Sequence, residues 1–269
     1  MLLSNQLSMP DIGLGVYKME PGDEMNTAVL SAYQAGYRLF DTAQMYRNEA
    51  ALGDALCVNQ IPRADVFLIS KVDNCNQWYD ATLASLHASL EKLQTPYLDA
   101  FLVHWPGQNK ERMCSTWKAM EEAYRRGLVR SIGVSNFEIS HLEFLLAHCD
   151  IPPMVDQIEH TPLLHNEALL TFCRNRAIVP MARAPLLRGD FARPEIEAIA
   201  AAYEKTPAQI LLRWNIQQGV VPIPKSKNPA RLLENISVFD FTLSASDMQR
   251  LNAMNEGRRT SRDPLTFDF

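Results

Sequence analysis

The chain reads as a closed (β/α)₈ barrel, the TIM barrel architecture, in one domain spanning residues 1–269. Three observations predict it. Apolar runs of strand length alternate with helical segments from end to end, with no composition break and no linker. A strand followed by a helix returns the chain for parallel pairing, and eight such units in about 250 residues suit a closed barrel. A doubly wound open sheet is the competing arrangement. It usually carries a glycine-rich GxGxxG turn after its first strand, and none stands there.

The elements follow in order. Residues 2–11, with Met9-Pro10, predict a small hairpin closing the barrel bottom. The first strand is 12–18, with Gly13 and Gly15 in it. Helix 23–35 has Asp23 as N-cap and Gly36 as C-cap. Strand 37–42 precedes a helix over 48–60. Strand 66–72 precedes a helix over 79–94, where Leu83, Leu86, Leu90 and Leu93 recur at helical spacing. Strand 97–104 leads to helix 114–126, ended by Gly127, and strand 129–134 leads to helix 138–148. Strand 154–159 leads to helix 166–176. Strand 178–183 precedes two helical segments, 194–204 and 207–218, the second stopped by Gly219. Strand 220–225 precedes a helix over 229–236, and a last helix, 244–254, opens on the capping-box pattern Ser244-Ala245-Ser246-Asp247. The tail after Asn255 carries Arg258, Arg259, Phe267 and Phe269 and is expected to fold over a rim.

Composition narrows the function classes. The chain is 47% hydrophobic and 21% charged, ordinary for a globule with a substantial core. A net charge of −5 argues against a nucleic-acid surface. Cys57, Cys75, Cys114, Cys149 and Cys173 are odd in number and lack CxxC spacing, so reduced thiols in a cytoplasmic protein are expected rather than disulfides or zinc. His87, His141, His148, His160 and His165 also lack the spacing of a metal site. No signal peptide and no membrane-length apolar run is evident. No exposed apolar helix face is obvious, and a monomer is expected.

Four ionisable side chains stand at or just beyond the downstream ends of three strands: Asp41 with Tyr46 five residues on, Lys71, and His104 before Trp105-Pro106. In a parallel barrel these ends share one rim, where functional groups gather. A free tyrosine has a pKa near ~10, and a neighbouring ammonium lowers it. Asp41 can hold Lys71 charged, and His104 can donate to a substrate oxygen or share the proton with Tyr46. Such a set can protonate an oxygen that gains negative charge. Each residue also has a plainer reading: Asp41 as a loop cap, Tyr46 as packing, His104 as a satisfied core histidine, Lys71 as a solvated strand end. Lys71 could alternatively form a Schiff base, as in a class I aldolase.

Five ordered motifs give the chain a resemblance to the aldo-keto reductase superfamily over essentially its whole length. They are Met9-Pro10-Asp11-Ile12-Gly13-Leu14-Gly15-Val16-Tyr17; Gly36 to Ala43 with Tyr46-Arg47-Asn48-Glu49; Asp99 to Pro106; Ile132 to Phe137; and Ile223-Pro224-Lys225-Ser226 with Arg231 and Glu234-Asn235. The resemblance implies a catalytic tetrad of Asp41, Tyr46, Lys71 and His104, with Tyr46 as proton donor to a small carbonyl substrate. It implies NADP(H) across the rim, with Ser135, Asn136 and Gln157 at the nicotinamide carboxamide. Lys225, Ser226, Arg231, Glu234 and Asn235 fall at the adenosine end. Arg231 and Lys225 offer a fork and a point charge for a 2′-phosphate. Tyr17, Trp78 and Trp105 are the expected substrate walls.

Two departures stand out. In Met181-Ala182-Arg183-Ala184-Pro185-Leu186, another cofactor-binding segment by resemblance, the family usually has an aromatic residue where Arg183 stands. Arg183 is expected either to stack on the nicotinamide or to turn toward the pyrophosphate. In Glu159-His160-Thr161-Pro162 the family commonly has His where Thr161 stands. The short segment after Trp105 and the short tail resemble the small bacterial diketogluconate and methylglyoxal reductases. Some barrels of the family are cofactor-sensing subunits with little turnover, which is the rival expectation.

Overall fold

The structure, a computed structural model, describes residues 1–269. Eight parallel strands form one sheet in sequence order: β1 (Leu14–Gly15), β2 (Leu39–Asp41), β3 (Phe67–Val72), β4 (Ala100–Val103), β5 (Ile132–Ser135), β6 (Val155–Glu159), β7 (Val179–Arg183) and β8 (Val221–Ile223). First and last strands meet where Gly13 N–H donates to the Pro222 carbonyl and Gly15 N–H to the Pro224 carbonyl, both at 3.0 Å. The barrel predicted from strand–helix alternation is therefore present, and its closure removes the sheet edges.

The outer layer comprises α1 (Asp23–Ala35), α2 (Glu49–Val58), α3 (Tyr79–Lys92), α4 (Lys110–Arg125), α5 (Ile139–Leu146), α6 (Glu167–Arg174), α7 (Pro194–Ala202), α8 (Pro207–Gln217), α9 (Pro229–Ile236) and α10 (Ala245–Asn252). Gly36 ends α1 at φ 106°, a left-handed conformation that suits glycine. Three local expectations are corrected. The first strand is only Leu14–Gly15, because its flanks serve the closing contacts rather than a ladder. Gly22, not Asp23, holds the N-cap position of α1, and Asp23 lies in the first turn. Helix α4 begins at Lys110, four residues before position 114, because the Asn109 side chain accepts the Arg112 N–H at 2.9 Å. Ser244 caps α10 as expected, but the Asp247 carboxylate accepts from Ser244 Oγ rather than from its backbone N–H, which goes to Tyr203 Oη.

Strand parity sets which groups face inward. On β3, Ser70 points to the helical layer and donates to Glu49 Oε1 at 2.6 Å, so its neighbour Lys71 points into the barrel. On β6, Gln157 and Glu159 face inward for the same reason. Asp156 turns outward and is fully buried. The core is continuous between barrel and helices, with a smaller cluster around Ile196, Ile199, Ile210 and Trp214 beneath α7 and α8.

The two ends of the barrel differ. At the bottom, Asp99 is 1% exposed and binds Arg63, Arg130 and the Leu68 N–H, fastening the starts of three strands. The expected N-terminal hairpin is there, with Leu2 bridged to Ser8 and Asn5 donating to the Arg130 carbonyl at 2.9 Å. At the top, the tail folds over the rim. Arg259 pairs with Glu138, Thr260 and Ser261 donate to Glu159, and Gln108 N–H donates to Asp268. No helix is long and apolar enough to cross a membrane.

Candidate active site

The four residues singled out in the sequence meet at the top of the barrel. Lys71 Nζ donates to both Asp41 oxygens at 2.7 and 2.8 Å and to the Thr42 carbonyl at 2.9 Å. It also lies 3.4 Å from Tyr46 Oη. Gln157 Nε2 donates to Asp41 Oδ2 at 2.8 Å, holding the carboxylate from the opposite side. Tyr46 sits on a 3-10 turn, Gln44–Tyr46, that follows β2 and carries the ring back over Lys71. The Tyr46 and His104 rings meet edge-on with centroids 5.6 Å apart.

Burial governs the protonation states. It disfavours the Lys71 charge, but Asp41 and Tyr46 outweigh it and keep the amine above its ordinary value, hence an ammonium. The Tyr46 phenol is raised, with burial the largest cause, Lys71 pulling it down and Asp41 pushing it up. Lys71 lowers it as the sequence predicts, and burial outweighs that pull. The resting tyrosine is a protonated donor, and Lys71 offsets part of the cost of losing its proton. Burial, then Lys71 and Arg183, hold His104 well below the usual imidazole range, so the ring is neutral. Its Nδ1 is buried without a partner.

A cleft of about 740 Å³, a volume suited to a small ligand, opens on this rim, though none of the four residues lines it. Met45 and Trp105, sequence neighbours of Tyr46 and His104, lie on its wall. Trp78 also lines it, at φ 106° and ψ 154°, a conformation rare for any residue but glycine. Thr116 Oγ1 accepts the Trp78 N–H at 2.9 Å and Ser115 Oγ the Tyr79 N–H at 3.1 Å, which fixes the strained turn. Tyr17, 49% exposed, packs on the Tyr46 ring at 4.8 Å and not in this cleft. The opposite wall is the tail: Ser261, Arg262, Phe267 and Phe269. Phe267 meets Trp105 edge-on at 4.9 Å. Sequence reasoning had the tail over a rim but not these residues as a cleft wall.

The expected cofactor residues divide into two groups. Ser135, Asn136 and Gln157 are buried together. Ser135 Oγ donates to the Gln157 carbonyl, and Asn136 Nδ2 donates to the His104 carbonyl at 2.8 Å. Lys225 and Arg231 are exposed and in no ion pair, beside the α9 start that Asn228 caps, with Ser226 buried between them in sequence. Two unpaired cations at a helix N-terminus suit a phosphate. Glu234 does not join them, since its carboxylate accepts from Thr206 Oγ1 at 2.7 Å. Asn235 is buried on the same helix. Pro185 and Leu186 follow β7 in a loop where Ala184, Leu187 and Arg188 all have positive φ.

Arg183 is held by side chains of the rim. Its Nε donates to Asn136 Oδ1 at 2.7 Å, and its Nη2 reaches Glu159 Oε2 at 3.3 Å and Ser261 Oγ. A buried carboxylate one strand away is its ionic partner. The sequence flagged the segment beginning at Glu159 only for Thr161, which closes a tight turn by accepting the Leu164 N–H.

A parallel barrel with a phenol, a buried ammonium–carboxylate pair and a neutral imidazole on its catalytic rim is the framework of a proton-donating enzyme. The chain belongs to the aldo/keto reductase family, whose model matches residues 11–256. It is 43% identical to a glyoxal reductase of Bacillus subtilis over 263 residues, covering 97% of this chain and 95% of that one. It is 42% identical to a 9,11-endoperoxide prostaglandin H2 reductase of Trypanosoma cruzi, covering 98% and 94%. The fold superposes on MGS-M4, an aldo-keto reductase from a Medee basin deep-sea metagenome library, with TM-score 0.96, 37% identity and full coverage of both chains. A mutant of Gox0644 in complex with NADPH superposes with TM-score 0.94 and 39% identity, covering 100% of this chain and 98% of that one.

Proposed function

We propose that this chain is an NADPH-dependent carbonyl reductase, with residues 1–269 acting as one catalytic barrel. Lys71 carries the reading: a fully buried ammonium, neutralised by Asp41 and 3.4 Å from the Tyr46 hydroxyl. That arrangement serves a phenol that must release a proton and leave a phenolate behind. NADPH, when bound, supplies the hydride that reduces a carbonyl carbon. The residues of the chain do the rest. His104 Nε2–H orients the carbonyl oxygen and stabilises its growing charge. Tyr46 Oη–H gives that oxygen its proton, Lys71 stabilises the phenolate, and solvent restores the phenol. Asp41 keeps Lys71 charged, and Gln157 keeps Asp41 in place.

The donor set fits the cofactor at its phosphate end, where neither Lys225 nor Arg231 is in an ion pair and the nearby Glu24 is taken by Lys227. At the nicotinamide end the buried Ser135 and Gln157 beside the tetrad support the reading. Asn136 can take up a carboxamide once Arg183 Nε releases its Oδ1. The Schiff-base alternative needs a neutral amine. Lys71 is instead a charged donor to three acceptors, which argues against an aldolase. Five unpaired cysteines support a reducing, cytoplasmic setting, and a monomer suffices because the tetrad comes from one chain.

The test is NADPH consumption with methylglyoxal, 4-nitrobenzaldehyde and a diketo sugar acid, followed by loss of NADPH absorbance. The B. subtilis relative makes small dicarbonyls the first choice. Turnover with at least one is expected. Tight NADPH binding without turnover on a broad carbonyl panel would instead indicate a cofactor-sensing barrel.

A further inference from the structure

We propose that Glu159 is a positioning residue of this site: its buried carboxylate neutralises Arg183 beside the nicotinamide and fastens the C-terminal segment that walls the cleft. The inference rests on the reductase reading above, because it takes the rim between Tyr46 and Asn136 as the nicotinamide site.

Glu159 ends β6, and its side chain is 0% exposed. A carboxylate so buried must be both paired and hydrogen-bonded. It accepts the Thr260 N–H at 2.7 Å and Thr260 Oγ–H at 2.6 Å on one oxygen. The other accepts Ser261 Oγ–H at 2.8 Å and meets Arg183 Nη2 at 3.3 Å. Burial opposes its charge, but Arg183 and the Thr260 and Ser261 bonds prevail, and it is anionic at neutral pH. It is the one carboxylate in ion-pair contact with Arg183. The other charges acting on Arg183 include Arg188 and Arg259, both repulsive. Arg188 is held by Thr260 Oγ1, and Arg259 is paired with Glu138.

Two consequences meet in this carboxylate. Hydride transfer leaves a positive nicotinamide ring, which a bare guanidinium would disfavour. With Glu159 ionised, Arg183 and its partner are together neutral. Ser261, which follows Thr260, is also the first tail residue on the cleft wall, ahead of Arg262, Phe267 and Phe269. The carboxylate that compensates Arg183 thus also seats the wall facing Trp105. From Arg183 the chain of contacts continues through Asn136 to the His104 carbonyl.

The experiment is Glu159→Gln, which keeps the shape and an acceptor oxygen but removes the charge. Dissociation constants for NADP⁺ and NADPH are measured by tryptophan fluorescence, and tail release by trypsin cleavage of the cofactor-free protein at Arg258, Arg259 and Arg262. The ratio Kd(NADP⁺)/Kd(NADPH) is expected to rise about tenfold, the scale of one uncompensated charge at a partly exposed site. Tail cleavage is expected to speed up. Arg183→Gln leaves Glu159 uncompensated and moves the ratio the opposite way, so the proposal stays testable if Glu159→Gln does not fold. Thr260→Val keeps Arg183, the Ser261 hydroxyl and the Thr260 N–H on the carboxylate and so keeps both charges; it should speed cleavage while leaving the ratio within about twofold of wild type. A ratio unchanged in both Glu159→Gln and Arg183→Gln would overturn the charge role, and with it the proposal. Failure to bind either dinucleotide would overturn the reductase reading itself, and this inference with it.

Discussion

Asp41→Asn isolates the buried Lys71–Asp41 pair on which the proposed proton donor depends. The Lys71 side chain is 0% exposed and Asp41 5%, and the ammonium has no other ionic partner. Removing one charge of such a pair leaves the other buried and uncompensated, at a cost of about 3–5 kcal/mol. At about 2–4 °C per kcal/mol for a chain of this size, the midpoint of thermal unfolding should fall by roughly 6–20 °C at pH 6. The pH dependence identifies the cause. In the wild type, Asp41 and Tyr46 raise the Lys71 pKa, so its stabilisation is complete below the unfolded value of ~10.4 and is lost only as pH rises through the folded value. No slope from this group is expected between pH 6 and 9. In Asp41→Asn burial is no longer opposed by a carboxylate, and the folded pKa falls below the unfolded one. The unfolded state then binds more protons, and stability rises with pH across the window between them. Differential scanning calorimetry at pH 6, 7.5 and 9 reads this directly. A midpoint within about 2 °C of wild type at pH 6, with no recovery by pH 9, would refute a charged, uncompensated Lys71.

Three further outcomes are expected. Asp156 is 0% exposed with no well-formed hydrogen bond on either oxygen, and burial raises its pKa well above the usual value, outweighing a weak pull from the nearby Phe137 N–H. A raised carboxyl costs stability above its unfolded pKa of ~3.9, so Asp156→Asn should stabilise by roughly 1–3 kcal/mol at pH 7, with the gain gone by about pH 3.5 in urea titrations. Arg231→Ala should weaken NADPH by about 10–150-fold in fluorescence titrations, from the loss of ~1.5–3 kcal/mol of charge-assisted bonding, while NADH changes little. Equal effects on both would put the phosphate elsewhere. Phe267→Ala removes the partner of Trp105, a contact worth about 0.5–1.5 kcal/mol, and should raise KM for an aromatic aldehyde about 2–10-fold with kcat nearly constant.

The barrel and its tetrad were legible because both depend on strand periodicity. Parity along β3 alone sends Ser70 outward and Lys71 inward, and equivalent strand ends bring Asp41, Lys71 and His104 to one rim. Helix starts were less legible where a side-chain cap such as Asn109 decides them without an apolar pattern. The pull of Lys71 on Tyr46 was legible, but the larger opposing effect of burial was not, because it depends on everything packed around the ring. The partner of Arg183 could not be read from position 183, since its claim comes from a glutamate one strand away and from tail hydroxyls about 80 residues downstream. One signal was available: an acidic residue at inward parity two positions after Gln157 must find a cation. Glu234 followed from its place in a motif, yet its carboxylate turns to the hydroxyl that caps α8.

The central claim is that Tyr46 donates the proton while Lys71 holds the phenolate. Tyr46→Phe changes one oxygen atom and leaves the Lys71–Asp41 pair intact. Steady-state turnover and NADPH affinity measured on the same preparation test it most directly. The account predicts a loss of kcat of about 10²–10⁴-fold, the usual worth of a positioned acid, with NADPH affinity within about twofold of wild type. Turnover near the wild-type rate in that variant would contradict it.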